Sequence, residues 1–332
     1  MSYVVCFGEA LIDFLESDHA VQDGLQIKNY RQFPGGAPAN AAVALAKLGG
    51  MARFAGQVGQ DAFGKFIVES LAHYGVNTRF TLTHSSAPTA LAFVHLDDNG
   101  ERSFTFKRKQ SADLLLSQSD VKELWFESAS ILHICSNTLT DETITETSFH
   151  IVSMAKKQNV CVSIDVNLRP NLWPQNKVNI ERVNRFVFQA ELVKFSREEF
   201  LLLSEANREA YLKKCFEAGC QLILITDGGE GIEFITPTYS GFVVPPKVDV
   251  VDTTAGGDGF IGAMLYVLSD ITCLSSIVGN KDALEAAVAF SSCAGAIAVS
   301  SHGAFPALAT RLQTTQLFNK QFSALSSTLN FE

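Results

Sequence analysis

The chain has 332 residues, of which 47% are hydrophobic and 18% are charged, so it is long and apolar enough to bury a sizeable core. Its 26 basic residues stand against 35 acidic ones, and the formal net charge of −9 provides no positive field to attract nucleic acids or anionic membranes. We therefore expect neither kind of partner, although a few backbone N–H groups at a helix N-terminus can still hold a small anion such as ATP.

The seven cysteines are scattered through apolar segments without a CxxC pair, which predicts reduced core residues and no disulfide scaffold. The first residues include Glu9 and Asp13 and lack a basic region, so they do not match a signal peptide. The apolar stretch 284–299 has 16 residues, fewer than the roughly 20 that a membrane span needs. We expect a cytoplasmic protein.

Short runs of β-branched and aromatic residues alternate with helical patterns along the chain. The predicted elements are strands at 3–7, 131–135, 160–166, 192–195 and 222–226 and helices at 141–158 and 208–219. Alternation of this kind is typical of parallel βαβ units and predicts an α/β fold. No linker, repeat or charge run marks a second folding unit, so we expect a single domain over 1–332.

The first strand is followed closely by a carboxylate, Asp13. Burying a carboxylate beside an apolar strand end is costly unless it binds something, so Asp13 is a candidate for holding the hydroxyl groups of a sugar. A helix cap or a surface turn explains Asp13 equally well at this point.

Two glycines then precede a helical run of alanine, valine and leucine. Gly35 and Gly36 would let the backbone approach a ligand closely, and Asn40, one turn into the helix, can offer a donor and an acceptor to a polyol. The same pattern also fits a tight turn that simply leads into a helix.

The alternation of strands and helices is interrupted between residues 90 and 110. Two strand-like runs there flank Asn99-Gly100, which is a hairpin signal, and no helix follows at once. Together with an extended segment at 25–33, this pattern predicts a small β-sheet lid. The lid would be discontinuous in the chain and built from about 14–33 and 90–110.

A second glycine-containing turn, at 252–258, opens another helix of small residues. Its backbone N–H groups, with the helix dipole behind them, would form a nest for negative charge, and Asp258 could accept a proton from an attacking hydroxyl. An acid that merely favours a helix N-terminus explains Asp258 as well. The turn is neither a Walker A loop nor a dinucleotide fingerprint, and the histidines lack zinc-binding spacing.

Taken in this order, the three segments resemble the ribokinase-like carbohydrate kinase family of the phosphofructokinase B type, over nearly the whole chain. The resemblance implies a three-layer α/β/α sandwich with a mostly parallel central sheet and a small β-sheet lid. It implies that Asp258 is the general base and that Ala255, Gly256 and Gly257 form the anion hole. The residues that it implies around the sugar are Asp13, Gly35, Gly36 and Asn40.

Further segments are similar to the fructokinases of that family. Arg108 and Arg169 lie in stretches of this kind and are implied to bind the substrate. The residues implied on the nucleotide side are Asn167, Glu199, Thr226, Gly228 and Gly231, with Glu199 holding water-coordinated Mg²⁺. The positions where many members bind a monovalent cation, usually K⁺, correspond to Asp252, Thr254, Ala298, Ser301, Gly303 and Ala307.

The function implied is ATP-dependent phosphorylation of fructose at its C6 hydroxyl, with Mg²⁺ and K⁺ as cofactors and a homodimer formed through the lid. Two alternatives stay open. One is a kinase for 2-keto-3-deoxygluconate, whose carboxylate Arg169 would meet. The other is a sugar-binding sensor with weak catalysis, suggested by a departure from the family order Gly-Ala-Gly-Asp.

That departure is the order Ala255-Gly256-Gly257-Asp258. A left-handed conformation at Ala255 would cost about 1–2 kcal/mol because of its Cβ atom. We expect Ala255 to keep an ordinary conformation, with Gly256 carrying any positive φ. Asp227 stands where many members have an apolar residue, and no role follows for it from the sequence.

Overall fold

The computed structural model describes residues 2–96, 102–269 and 274–329, and strands alternate with helices through most of them. The strands are β1 (Tyr3–Phe7), β2 (Leu11–Gln22), β3 (Leu25–Gly35), β4 (Ala52–Gly59), β5 (Asn77–His84), β6 (Leu91–Leu96), β7 (Arg102–Lys107), β8 (Ala129–Cys135), β9 (Cys161–Asp165), β10 (Leu192–Ser196), β11 (Leu222–Asp227), β12 (Gly231–Ile235) and β13 (Ser240–Val243). The α-helices are α1 (Ala37–Lys47), α2 (Ala62–His73), α3 (Glu142–Lys157), α4 (Ile180–Val187), α5 (Arg197–Leu203), α6 (Arg208–Glu217), α7 (Gly256–Ser269), α8 (Leu274–Val278), α9 (Lys281–Ala298) and α10 (Arg311–Gln321).

The central sheet has nine strands in the order β13-β12-β11-β10-β9-β8-β1-β4-β5. Its strands pair in parallel from β5 across to β11, and β12 and β13 add antiparallel pairs at one edge. The five strands and two helices predicted from the sequence are confirmed, with ends that differ by at most two residues.

Both faces of this sheet are covered by helices. In β1, Val4 and Cys6 join one apolar cluster with α1, α7 and α9, whereas Val5 and Phe7 join another with α3, α4 and α6. Alternate residues of a strand point to opposite faces, so a run that is apolar throughout is suited to this central position. The predicted three-layer α/β/α arrangement is confirmed.

A second, smaller sheet has the order β3-β2-β6-β7. β2 pairs antiparallel with β3 and parallel with β6, and β6 pairs antiparallel with β7. These strands overlap the segments predicted as the lid, whereas the Asn99-Gly100 turn lies outside the described residues. The closing motion of a lid and the assignment of 1–332 to a single domain stay predictions.

Within the described ranges, none of the helices combines the length and the apolar character that crossing a membrane requires. The described cysteines are free thiols, at positions 6, 135, 161, 215, 220 and 293.

Candidate active site

A cleft of about 1030 Å³ opens where β1, β8 and β9 end, and the small sheet forms another of its walls. The carboxyl ends of parallel strands are where α/β folds bind ligands. The polar side chains that line the cleft are Glu9, Asp13, Asn40, Arg108, Asn137, Asn167, Arg169, Asn171, Thr253, Thr254 and Asp258.

Asn40 and Asp258 meet in this cleft although they come from different helices. The Asn40 Nδ2 atom donates to Asp258 Oδ2 over 2.7 Å, and the Asn40 Oδ1 atom is buried without a partner among the described residues. α1 and α7 can approach so closely because Gly262 faces Ala44, where a Cβ atom on Gly262 would collide with the alanine methyl group. Burial raises the pKa of Asp258 to about 7, more than the Asn40 hydrogen bond lowers it.

Asp13 lies in β2, and its carboxylate packs against Gly35. A Cβ atom on Gly35 would overlap the Asp13 carboxylate, and one on Gly36 would lie 2.5 Å from the Glu9 carbonyl oxygen. Gly36 also has a φ of 104°, which favours glycine. Burial, and then the charges of Asp258 and Asp252, raise the pKa of Asp13 to about 7. The glycines thus make room for Asp13, and two carboxyls that readily hold protons face one cleft.

The turn before Asp258 is free of the strain that the exchanged residues suggested. Ala255 has no positive φ, which confirms the expected ordinary conformation, and neither Gly256 nor Gly257 has one. Glycine is needed at position 256 for a steric reason instead, because a Cβ atom there would lie 2.6 Å from Val299 Cγ1. Packing against the end of α9 therefore favours glycine at position 256.

A buried polar network at the same cleft joins the predicted Arg108 to residues that were not predicted as site residues. Asn137 Nδ2 donates to Glu9 Oε1 over 3.0 Å, Arg108 Nη1 donates to the Asn137 carbonyl oxygen over 2.9 Å, and Arg108 Nε donates to Asp113 Oδ2 over 2.6 Å. Glu9 Oε2, Asn137 Oδ1 and Arg108 Nη2 are buried and have no partner among the described residues. Glu9, a carboxylate in an apolar run, was a usable signal, whereas Asn137 offered none. Such atoms are suited to hydroxyl groups of a ligand.

The predicted nucleotide-side residues spread beyond the cleft. Asn167 lines it, with a φ of 38°. Glu199 Oε1 accepts from the Leu168 N–H and Oε2 from the Ser196 N–H, each over 2.7 Å, so Glu199 caps α5 and fixes the chain beside Asn167. Thr226 Oγ1 donates to the Phe195 carbonyl oxygen over 3.3 Å at the end of β11.

Of the two glycines predicted there, Gly228 lies in the turn between β11 and β12, and Gly231 is the first residue of β12. Gly228 has a φ of 51°, and a Cβ atom on Gly231 would overlap the Phe242 ring, so both positions have conformational or steric reasons to be glycine. Asp227 forms an ion pair with Arg197, which ties this turn to α5.

Part of the predicted cation site comes together around Asp252. Its Oδ1 atom accepts from the Thr254 N–H over 2.8 Å, and its Oδ2 atom accepts from the Gly303 N–H over 3.1 Å. Ala298 ends α9, and Ser301 and Ala307 lie in the segment after it that carries Gly303. Among the described residues there is no cluster of three or more His, Cys, Asp or Glu side chains suited to a metal ion.

Comparison with known proteins finds a matching family and relatives that are similar in sequence. The model of the pfkB family carbohydrate kinases matches residues 1–311. A probable chloroplastic fructokinase-6 of Arabidopsis thaliana is 38% identical over 315 residues, which cover 93% of this chain and 80% of the relative.

Solved structures are similar over almost the whole chain. A fructokinase with bound ATP from Xylella fastidiosa has a TM-score of 0.90 and 36% identity, covering 96% of this chain and 99% of that one. A fructokinase double mutant from Vibrio cholerae O395, in a form with fructose, ADP and potassium ion bound, has a TM-score of 0.82 and 33% identity, covering 99% of both chains.

Proposed function

The chain belongs to the pfkB family of carbohydrate kinases, and from that membership we propose that it transfers the γ-phosphoryl group of ATP to the C6 hydroxyl of fructose. The observation that carries the proposal is the 2.7 Å contact between Asn40 and Asp258 inside the cleft. This contact supports the proposal because it holds a carboxyl with a pKa of about 7 in the cleft that we infer binds the sugar. A general base works best when its pKa lies near the operating pH.

Each part of the cleft has a task in this reaction. Asp258 accepts the proton of the attacking hydroxyl, while the N–H groups at the start of α7 stabilise charge on the transferred phosphoryl group. Asp13, Asn40 and the unpaired atoms of Glu9 and Arg108 bind the other hydroxyls. Positioning and electrostatic stabilisation account for most of the catalysis in phosphoryl transfer.

We propose ATP, Mg²⁺ and K⁺ as the cofactors. Each Glu199 oxygen already accepts one backbone N–H and keeps a second lone pair, so Glu199 can hold a water molecule bound to Mg²⁺. The segment around Asp252 offers a carboxylate and neighbouring carbonyl groups, which are ligands that K⁺ accepts. Potassium in the Vibrio cholerae fructokinase supports this assignment.

A kinase for 2-keto-3-deoxygluconate is the second candidate. Arg169 is exposed at the cleft, where its guanidinium could pair with a sugar carboxylate. A non-enzymatic sugar sensor is the third candidate. It was suggested by the altered residue order at Ala255, and the absence of a positive φ there removes the main argument for it.

One experiment separates these candidates. An ATP-coupled assay would compare fructose, ribose, tagatose, adenosine and 2-keto-3-deoxygluconate, each with and without K⁺. We expect fructose to give the highest kcat/KM and K⁺ to increase it. A higher kcat/KM for 2-keto-3-deoxygluconate would identify the second candidate, and sugar binding without turnover of any substrate would identify the sensor.

We also propose a homodimer formed through the small sheet, working in the cytoplasm. Val21 and Leu25, at the β2–β3 turn, are 72% and 67% exposed, and apolar side chains at such a position are suited to pairing with a second copy. Light scattering should show a dimer that Val21→Glu with Leu25→Glu converts to a monomer.

The free cysteines support a reducing compartment, which a fluorescent fusion would locate.

A further inference from the structure

Lys194 is a buried cation that the proposed reaction has not used. It lies in β10 and is only 6% exposed. Its Nζ atom donates to both carboxylate oxygens of Asp165, each over 2.9 Å, and Asp165 is the register partner of Lys194 on the neighbouring strand β9. A buried ion pair adds little net stability over a well-packed apolar pair, so stability alone does not explain its presence.

The position of the ammonium group indicates a role for Lys194 beyond its ion pair with Asp165. A Cβ atom on Gly257 would lie 3.2 Å from Lys194 Nζ, so the ammonium packs against the first turn of α7, directly before Asp258. An ammonium has three N–H donors, and Asp165 occupies two of them. Burial lowers the pKa of Lys194, but the charges of Asp165, Glu199 and Asp258 and the Asp165 hydrogen bonds together raise it, which keeps Lys194 charged.

We propose that Lys194 is a positioning residue for phosphoryl transfer, whose charge is held by Asp165 against Gly257 and strengthens the anion hole at the start of α7. This inference rests on the proposed kinase function. Positive charge in a water-poor site acts strongly on charge that develops during the reaction, because little solvent screens it. It also favours glycine at position 257, since a Cβ atom there would press on the ammonium group from 3.2 Å.

The test compares Lys194→Met with the double variant Lys194→Met, Asp165→Asn. The single variant leaves the Asp165 carboxylate buried and unpaired, whereas the double variant removes both charges and relieves that penalty. We expect kcat to fall at least about 10-fold in both variants, with the KM for the sugar little changed, while thermal stability recovers in the double variant. Lys194→Arg should have a higher kcat than Lys194→Met because it keeps the positive charge.

A lysine–glutamate ion pair between α3 and the segment before β10 provides the control. Lys156 and Glu191 lie 3.9 Å apart and away from the cleft, so Lys156→Met should leave kcat unchanged. A double variant of Lys194 and Asp165 with wild-type kcat would overturn the inference, because Lys194 would then serve only to neutralise Asp165. Wild-type kcat in Lys194→Met alone would overturn it as well.

A binding measurement keeps this inference separate from the proposed function. ADP with aluminium fluoride mimics the transferred phosphoryl group, and Lys194→Met should weaken its binding more than it weakens the binding of ADP alone. If the wild type phosphorylates no sugar, the proposed function fails, whatever this comparison shows. If the wild type is active but both ligands are weakened equally, only the role of Lys194 fails.

Discussion

In the proposed mechanism, the Asp258 carboxyl is the group that accepts the proton of the attacking hydroxyl. Asp258→Asn keeps the shape of the side chain and can still accept from Asn40, but it cannot accept a proton. We expect kcat to fall at least about 10²-fold, in line with general-base contributions. Calorimetry of sugar and ATP binding is the control and should change little. A variant with near-wild-type kcat would remove Asp258 from the mechanism.

Asp13 should affect binding more than chemistry. Asp13→Ala removes a carboxylate that faces the cleft opposite Gly35, and charge-assisted hydrogen bonds of this kind contribute about 1.5–3 kcal/mol each. We expect calorimetry to show a fructose affinity weakened at least about 10-fold, which corresponds to about 1.4 kcal/mol, with ATP affinity nearly unchanged. Unchanged fructose affinity would place Asp13 outside the sugar site.

Some residues of the cleft could be predicted from the sequence and others could not, depending on whether they carry a local pattern. The signals at Asp13, Asn40 and Asp258 came from local pattern, because each follows or opens a recognisable element, and the structure brings all three to one cleft. Asn137 carries no such signal. It becomes notable only through contacts with Glu9 and Arg108, which are distant in the chain and come together only on folding.

At the scale of elements, the contact between α7 and the end of α9 favours glycine at position 256, in the turn proposed as the anion hole. Restoring the family order with Ala255→Gly and Gly256→Ala would place a methyl group 2.6 Å from Val299 Cγ1. Overpacking of this kind typically costs about 1–3 kcal/mol, so we expect a lower melting temperature and no gain in kcat.

The matched control adds Val299→Ala to that double variant. It removes the atom that the new methyl group would meet, and part of the lost stability should return. A clear increase in kcat for the double variant would contradict this explanation and would favour the weak-catalyst alternative.

Elements with strong periodic or apolar patterns were predictable, and tertiary contacts between them were not. β1 and α3 were predicted to within about one residue because β1 is an uninterrupted apolar run and α3 has a long helical pattern. The close approach of α1 to α7 depends on Gly262 facing Ala44, and neither residue is distinctive within its own helix.

For the molecule as a whole, the carboxyls of the cleft make folding stability depend on pH. The pKa of Asp258 is about 7 in the folded chain, compared with its ordinary value of 3.8. The folded state therefore keeps the Asp258 proton up to a higher pH than the unfolded state does. Its stabilising contribution is therefore complete at low pH and is lost as pH rises toward 7.

We expect the melting temperature of ligand-free Asp258→Asn to exceed that of the wild type at pH 8, with a smaller difference at pH 5. Asp13 should enlarge this difference, because the charge of Asp258 is one cause of its raised pKa and is absent in the variant. A difference that is the same at both pH values would show that burial does not raise the pKa of Asp258.

The hydrogen bond between Asn40 and Asp258 joins residues that are 218 positions apart in the chain. Contacts across such long sequence separations form slowly, because the closure of a large loop must precede them. Refolding should therefore restore the far-ultraviolet circular dichroism of the helices before it restores turnover. In a chain growing on a ribosome, Asp258 could reach Asn40 only after α7 has emerged. Catalytic activity would therefore be among the last properties that the molecule acquires.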